Sequence, residues 1–388
     1  MAPGKSRPWP NPIILVAGGT GGHLFPAEAL ARELRARDYT LALFTDRRGG
    51  YGGDLEAVDT HQIRAGRVTT GGLGQRLRGA AELALGAWQA RKLLRELNPS
   101  VVVGFGSYVS VPTVLAATRA HFATVIHEQN ALLGRANRLL ARGVTAIATS
   151  FQDVGGIRPE TRPKVTLTGN PVRKGILAIR DQPYPPIPKG DPMLVLVLGG
   201  SQGAAVFSDV IPVGLARLTR SLRARLQLSQ QCRPEDLERV RKAYANLGLK
   251  AELAAFFEDM PEKLGNAHLV ICRSGASTVA ELAAAGRPAI LVPLPHAMDD
   301  HQTANARAAE AAGAAVLMPQ TKFTPHTLAA RLKLWLDSPL GLRRMAERAR
   351  ALGRPDAAAR LADLVVSLCP SNGGQAPNPD PGVREEAA

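Results

Sequence analysis

The chain reads as two α/β domains, each an open, doubly wound parallel sheet. Three observations predict this. Its 388 residues exceed what one compact core usually holds. Short apolar runs alternate with helix-period segments, the βαβα rhythm of a parallel sheet covered on both faces. The opening theme of apolar strand, glycine turn and helix at 13–26 returns from Met193, as a structural echo rather than a sequence repeat.

In order, Ile13–Val16 is a buried strand, and Gly18-Gly19-Thr20-Gly21-Gly22 then breaks regular structure. After His23, the spacing of Leu24, Phe25, Ala27, Leu30 and Leu34 predicts a helix with Pro26 in its first turn. A second strand spans 40–45 and ends in a polar, glycine-rich loop. Residues from Ile63 are less regular, and 75–97 is helical. A strand at 101–103 runs into a second glycine turn, GFGSY at 104–108, before a helix over 111–119. Strands at 124–126, 145–148 and 165–168, with a helix at 132–141, complete the first half.

A proline-rich stretch, 175–192, reads as a linker. Beyond it come the strand Met193–Leu198, the turn 199–203 and a helix from Ala204. Strands are expected at 226–228, Leu269–Cys272 and 289–292, and helices at 234–246, 277–285, 303–312, Pro325–Asp337 and 341–368. The expected organisation is a flexible terminus (1–12), a first domain (13–174), the linker, a second domain (193–368) whose last helix packs back on the first, and a disordered tail (369–388).

A formal net charge of +15 calls for an acidic partner: nucleic acid, anionic lipid or a phosphorylated substrate. Aromatics at 4% argue against a stacking platform for single strands, and no recognisable nucleic-acid module is present, so nucleic acid is not an expected partner. Three widely spaced cysteines form neither a disulfide framework nor a metal spacing, which fits a reducing compartment. The N-terminus lacks the apolar stretch of a secretory signal, and no apolar run reaches the ~20 residues that span a bilayer.

Glycine turns at strand ends let backbone N–H groups and helix N-termini approach a phosphate. In open sheets ligands bind beyond the strands' carboxyl ends, and two such domains are expected to hold a phosphorylated ligand across a cleft. Ser201 can meet a pyrophosphate oxygen, Arg173 can neutralise phosphate, Glu281 can accept from ribose hydroxyls, and His23 can serve as a base or phosphate ligand. His127-Glu128 lacks the second histidine of a zinc helix. His296, Asp299, Asp300 and His301 suit a polar, sugar-contacting loop better than a metal site, so no metal is expected. Around 75–97, Leu73, Leu77, Leu83, Leu85 and Trp88 are surrounded by Arg76, Arg78, Arg91, Lys92 and Arg95. On residue pattern alone, a helix on an anionic membrane surface and a helix packed on the core are equally good readings.

The motifs GGTGGHLFPA (18–27), GFGSYVS (104–110), HEQN (127–130), GNPVR (169–173), GGSQGA (199–204), CRSGASTVAEL (272–282) and DHQTANA (300–306) resemble the MurG family in family order. That resemblance implies a GT-B fold and inverting, metal-independent transfer of N-acetylglucosamine from UDP-N-acetylglucosamine to lipid I, giving lipid II, with no cofactor. It places Thr20, Gly21, Gly22 and Asn130 on the donor-sugar side, and Arg173 and Ser201, with Gln202 beside it, on the diphosphate. It places Ala276, Ser277, Thr278, Val279, Ala280 and Glu281 on uridine and ribose, Phe257 beside uracil through its backbone, and Gln302 on the sugar. His23 is its best base candidate, with Tyr108 and Glu128 as others. Ala205 and Ser208 depart from the family pattern and receive no role.

Since lipid I is held in the inner leaflet, the resemblance favours the membrane reading of Leu73, Leu77, Trp88, Arg91 and Lys92. It implies a peripheral enzyme on the cytoplasmic face of the bacterial inner membrane, with anionic inner-leaflet lipid and other cell-wall synthesis enzymes as partners. The alternatives are another GT-B transferase with a lipid acceptor, such as a diacylglycerol glucosyltransferase, and a basic nucleic-acid-binding protein. HEQN with GNPVR favours the MurG resemblance over the first.

Overall fold

The computed structural model describes residues 11–18, 21–46, 55–65, 73–187, 191–200 and 203–370. The chain divides into two compact units: 1–129 with 133–171 and 356–388, and 130–132 with 172–355.

The first unit is built on seven parallel strands, β1 (Ile13–Val16), β2 (Leu41–Thr45), β3 (Asp59–Gln62), β4 (Val101–Gly104), β5 (Ala123–Glu128), β6 (Ala146–Thr149) and β7 (Val165–Leu167). Their order is β3-β2-β1-β4-β5-β6-β7. Helices α1 (Gly21–Ala36), α2 (Leu73–Leu97), α3 (Ser107–Arg119) and α4 (Arg135–Leu140) cover the faces. Alternation along the strands builds two cores: Ile13 and Leu15 join Leu30 and Leu34 of α1, whereas Ile14 and Val16 join Ala90 and Leu94 of α2. The strand β3, sequence DTHQ, was not foreseen because it has no apolar residue; it pairs along β2 at the sheet edge.

The second unit has six parallel strands, β8 (Met193–Leu198), β9 (Leu226–Gln231), β10 (Lys250–Ala254), β11 (Leu269–Cys272), β12 (Ala289–Leu291) and β13 (Ala315–Leu317), ordered β10-β9-β8-β11-β12-β13. Its helices are α5 (Lys174–Ala178), α6 (Ala205–Ala216), α7 (Arg220–Arg223), α8 (Leu237–Asn246), α9 (Met260–Asn266), α10 (Ala276–Ala285), α11 (His301–Ala311), α12 (Pro325–Asp337) and α13 (Leu340–Leu352).

Two features depart from the sequence reading. Part of the expected linker is packed structure: α5 buries Ile176, and the Tyr184 hydroxyl donates to His268 O at 2.8 Å. Leu194 N donates to His268 Nδ1, which leaves Nε2–H to donate to Pro186 O at 3.0 Å, so one ring ties the proline stretch to β8. The expected single helix over 341–368 is two helices, α13 and α14 (Ala357–Ser367), broken at Gly353-Arg354-Pro355. Pro355 has no N–H and disfavours helical geometry at Arg354. A Cβ on Gly353 would stand 2.4 Å from Ala283 O, so the backbone passes too close for a side chain. Past the break α14 joins the first unit, burying Leu361, Ala362 and Val365 beside α1, where Arg37 pairs with Asp363 at 2.6 Å.

Both sheets share one topology, in which chain direction across the sheet reverses between β1 and β4 and between β8 and β11. Ligands of doubly wound sheets bind at that reversal, beyond the carboxyl ends. Gly18 and Gly106 stand at the first reversal, and Gly199, Gly203 and Gly275 at the second.

Candidate active site

In the first unit the chain leaves β1 through Gly18, where an added Cβ would lie 3.2 Å from Val109 and 3.3 Å from the Asp46 carboxyl carbon. The turn is thus pressed between α3 and the end of β2. Gly19 and Thr20 lie outside the described residues; Gly21 and Gly22 open α1, and His23 sits in its first turn.

The turn after β4 meets this histidine. Gly106 has φ +86°, and a Cβ there would stand 3.3 Å from His23 Cε1 and 3.9 Å from Gln129 Oε1. Glycine at 106 is therefore required twice, by its backbone angle and by the imidazole against it. Ser107 is also left-handed, at φ +65°. Ser110 Oγ donates to Gly106 O, pinning the turn, and half-buried Tyr108 lies in the first turn of α3.

The end of β5 supplies the floor. Gln129 Nε2 donates to Phe105 O at 2.9 Å and to His127 Nδ1 at 3.1 Å. With Nδ1 accepting, His127 Nε2–H donates to Gly169 O at 3.0 Å. Complete burial, with His23 adding a smaller charge effect, pushes His127 down to about 4, so this ring is neutral and structural. Glu128 is also buried, and its Oε2 accepts from Gly134 N and Asn137 Nδ2, both at 2.8 Å. That places a carboxylate at the N-terminus of α4, where the helix dipole favours it. Of the three expected base candidates, His23 and Tyr108 lie beside the glycine turns, while Glu128 is committed to holding α4.

In the second unit β8 ends in a turn that only glycine permits at two positions. A Cβ on Gly199 would lie 2.7 Å from Ala204 N, and Gly203, at φ +69°, would meet Arg233 Cγ at 2.5 Å. Ser201 and Gln202 lie outside the described residues.

Across the reversal, Arg273 Nη1 donates to Val292 O and Pro293 O, both at 3.1 Å, and Nη2 donates to Gln320 Oε1 at 2.8 Å. Ser274 Oγ donates to Gln302 O at 2.9 Å, and Leu294 N donates to Gln302 Oε1 at 3.0 Å, which fixes the Gln302 side chain. Helix α10 then begins at Ala276 with Ser277 and Thr278 in its first turn, where backbone N–H groups lack intrahelical acceptors. Among the described residues, Ser277 Oγ is buried without a hydrogen-bond partner. Val279 is buried and Ala280 half-buried. One turn further, Glu281 accepts both prongs of the Arg173 guanidinium at 2.7 and 2.9 Å. Phe257 is buried under the Lys263 ammonium, whose nitrogen lies 4.8 Å from the ring centre.

The sequence reading gave no role to Asn305, which is fully buried in α11. Its Nδ2 donates to Ser274 O at 3.0 Å and Asn130 Oδ1 at 3.1 Å, and its Oδ1 accepts from Ala131 N at 2.8 Å. Asn305 thereby fixes Asn130 beside the turn that opens α10. The DHQTANA motif contains it, but nothing in its spacing distinguishes this asparagine from a solvated one. Asp300, considered above as a metal ligand, instead accepts from Thr303 Oγ1 at 2.6 Å at the start of α11.

On α2 the face toward the unit runs through Gly86, Ala90 and Leu94, and a Cβ on Gly86 would overlap Arg64 O. Trp88 is 66% exposed and Leu85 46% exposed, followed on the outer side by exposed Arg91, Lys92 and Arg95. The side chains of Leu73 and Leu77 lie outside the described residues.

Residues 13–149 match the glycosyltransferase family 28 N-terminal domain, and residues 194–361 match the glycosyltransferase family 28 C-terminal domain. Over 363 residues the chain is 57% identical to the UDP-N-acetylglucosamine–N-acetylmuramyl-(pentapeptide) pyrophosphoryl-undecaprenol N-acetylglucosamine transferase of Paramagnetospirillum magneticum, covering 93% of this chain and 98% of that protein. The transferase of the same name from Rhodospirillum rubrum is 57% identical over 358 residues, covering 92% of each. The crystal structure of Acinetobacter baumannii MurG matches with a TM-score of 0.74 at 29% identity, over 92% of this chain and 99% of that one.

Proposed function

The chain belongs to glycosyltransferase family 28, with the GT-B fold and the MurG transferases as its kin, and from this we infer its reaction. The protein transfers N-acetylglucosamine from UDP-N-acetylglucosamine to lipid I, forming lipid II for peptidoglycan. The observation that carries this is the 57% identity to a transferase of that printed activity, over 93% of the chain.

The C4 hydroxyl of the acceptor's muramic-acid sugar attacks the anomeric carbon of N-acetylglucosamine. The new C–O bond forms as the bond to the β-phosphate oxygen breaks, UDP leaves, and the configuration inverts. The hydroxyl proton passes to a base, for which His23 is our assignment. It lies in the first turn of α1, with its ring against the Gly106 turn. Tyr108 is the second candidate.

The donor contacts are assigned to the second unit. Arg173 neutralises diphosphate charge, and Ser201 and Gln202 are assigned to the same diphosphate. The start of α10, Ala276–Glu281, receives uridine and ribose, with Phe257 beside uracil. Gln302 and Asn130 meet the sugar. Support comes from the unpaired, buried Ser277 hydroxyl at a helix N-terminus and from Asn305, which fixes Asn130 near it. Thr20, Gly21 and Gly22 are assigned to the sugar or the lipid-linked diphosphate.

Among the described residues no helix is long and apolar enough to cross a membrane. We assign peripheral docking on the cytoplasmic face of the inner membrane to the outer side of α2. Trp88 and Leu85 enter the headgroup region, and Arg91 and Lys92 meet anionic lipid. Contacts with other cell-wall enzymes belong to the same proposal. A Leu85→Glu/Trp88→Glu variant should bind vesicles containing anionic lipid about tenfold more weakly than wild type. Equal binding removes α2 from the docking surface.

Turnover of UDP-N-acetylglucosamine with a lipid I analogue, read as release of UDP, tests the function. Turnover on a diacylglycerol acceptor instead would favour the other GT-B reading.

A further inference from the structure

The two charged groups assigned to the donor hold each other in the structure. Arg173 Nε donates to Glu281 Oε1 at 2.7 Å, and Arg173 Nη2 donates to Glu281 Oε2 at 2.9 Å. This two-pronged fork is also the geometry in which guanidinium meets phosphate. The carboxylate therefore covers an edge of Arg173 that a phosphate would use. In turn, both carboxylate oxygens that would receive ribose hydroxyls already accept from the guanidinium. Neither partner is locked away: the side chains are 35% and 14% exposed, sheltered enough for the charge to matter and open enough for a ligand to reach. Both are mounted on packed helices, Arg173 at the start of α5 and Glu281 within α10.

We propose that Glu281 is an internal stand-in for the donor's diphosphate, and that a nucleoside diphosphate opens the pair by a linked exchange. Ribose hydroxyls donate to Glu281 as phosphate oxygens accept from Arg173. This rests on the donor reading above and adds a selectivity to it. A diphosphate without a nucleoside displaces the carboxylate and leaves its charge unpaired. A nucleoside without phosphate draws the carboxylate away and costs the guanidinium its two hydrogen bonds to Glu281. Only a ligand carrying both satisfies both ends, so ribose and phosphate recognition are positively coupled. After transfer, re-formation of the pair favours release of UDP.

The test is calorimetric titration at fixed ionic strength, with displacement by UDP confirming that each ligand occupies the donor site. In wild type, saturating uridine should tighten inorganic pyrophosphate by about fivefold, within the usual range of coupling between sites. In Glu281→Gln, pyrophosphate without uridine should bind about tenfold tighter than to wild type, uridine more weakly, and the coupling should vanish. Glu281→Asp, which keeps the charge on a shorter side chain, should fall between the two. A merely structural role for the pair would weaken both ligands together. Unchanged pyrophosphate affinity with and without uridine in wild type overturns the exchange, and that result needs no variant to fold. If UDP itself does not bind wild type, the donor reading falls and takes the exchange with it. If UDP binds and coupling is absent, the exchange alone falls.

Discussion

At the end of β5, His127 Nδ1 accepts from Gln129, and His127 Nε2, the Gln129 amide and a Glu128 oxygen are engaged by other parts of the first unit. At the start of α10 the polar groups are arranged differently. Among the described residues the Ser277 hydroxyl is buried without a partner, and the Glu281 carboxylate is held by Arg173, which we assign to phosphate. The first arrangement holds the turns around His23, the base of our proposal, where small displacements would cost rate steeply. The second leaves hydrogen-bonding capacity for a ligand to complete. The contrast is one of these two places and not of the two units, since Ser107 Oγ and the Asn170 side-chain nitrogen and oxygen are also buried without a partner among the described residues.

Acid sharpens the comparison most. His127 is depressed to about 4 by burial, below its ordinary value of 6.5. The unfolded chain therefore takes up a proton that the native ring excludes. The stability is fully present above 6.5 and is lost as pH falls from there toward 4, by about 3 kcal/mol in total. Urea unfolding between pH 7.5 and 4.5 should show wild type losing more stability than His127→Gln, which cannot titrate. Parallel losses would mean that His127 carries no such linkage.

Glu128→Ala should cost about 2 kcal/mol, because it takes the acceptor from Gly134 N–H and leaves Asn137 Nδ2 with His127 O at 3.2 Å. Hydrogen exchange should localise the loosening to 129–140, with UDP affinity unchanged. A large loss of UDP affinity would instead connect this carboxylate to the donor. The smallest effect has the opposite sign. Ser277→Ala removes an unpaired buried hydroxyl, so it should leave stability unchanged or raise it by up to about 1 kcal/mol, while weakening UDP severalfold. A clear drop in melting temperature without ligand would show that Ser277 has a structural partner and would break the contrast.

Much of this was legible in the sequence because it is local. Ile13–Val16, Met193–Leu198 and Leu269–Cys272 are apolar runs closed by glycine or polar turns, and the structure has strands with those bounds. The turns at Gly18, Gly106, Gly199 and Gly203 need glycine for reasons local geometry explains. What was not legible depends on distant partners. Arg173 and Glu281 are 108 positions apart, and their pairing follows from α5 packing near α10. Asn305 acquires its role from carbonyl and amide groups at Ser274, Asn130 and Ala131. Arg287 is another case: fully buried, it donates to Leu264 O, Gly265 O and Ala285 O and so caps α9 and α10, where its sequence context suggests only a surface cation. The break at 353–355 was visible in its glycine and proline, but the apolar periodicity on either side masked it.

The proposed reaction divides the labour, with chemistry in the first unit and donor recognition in the second. It is tested most directly by measuring kcat and UDP affinity on His23→Ala and Arg173→Ala side by side. His23→Ala should lower kcat by about 10²–10⁴ with UDP affinity unchanged. Arg173→Ala should weaken UDP by about tenfold or more. Full turnover in His23→Ala, or loss of UDP binding there with normal binding in Arg173→Ala, would contradict it.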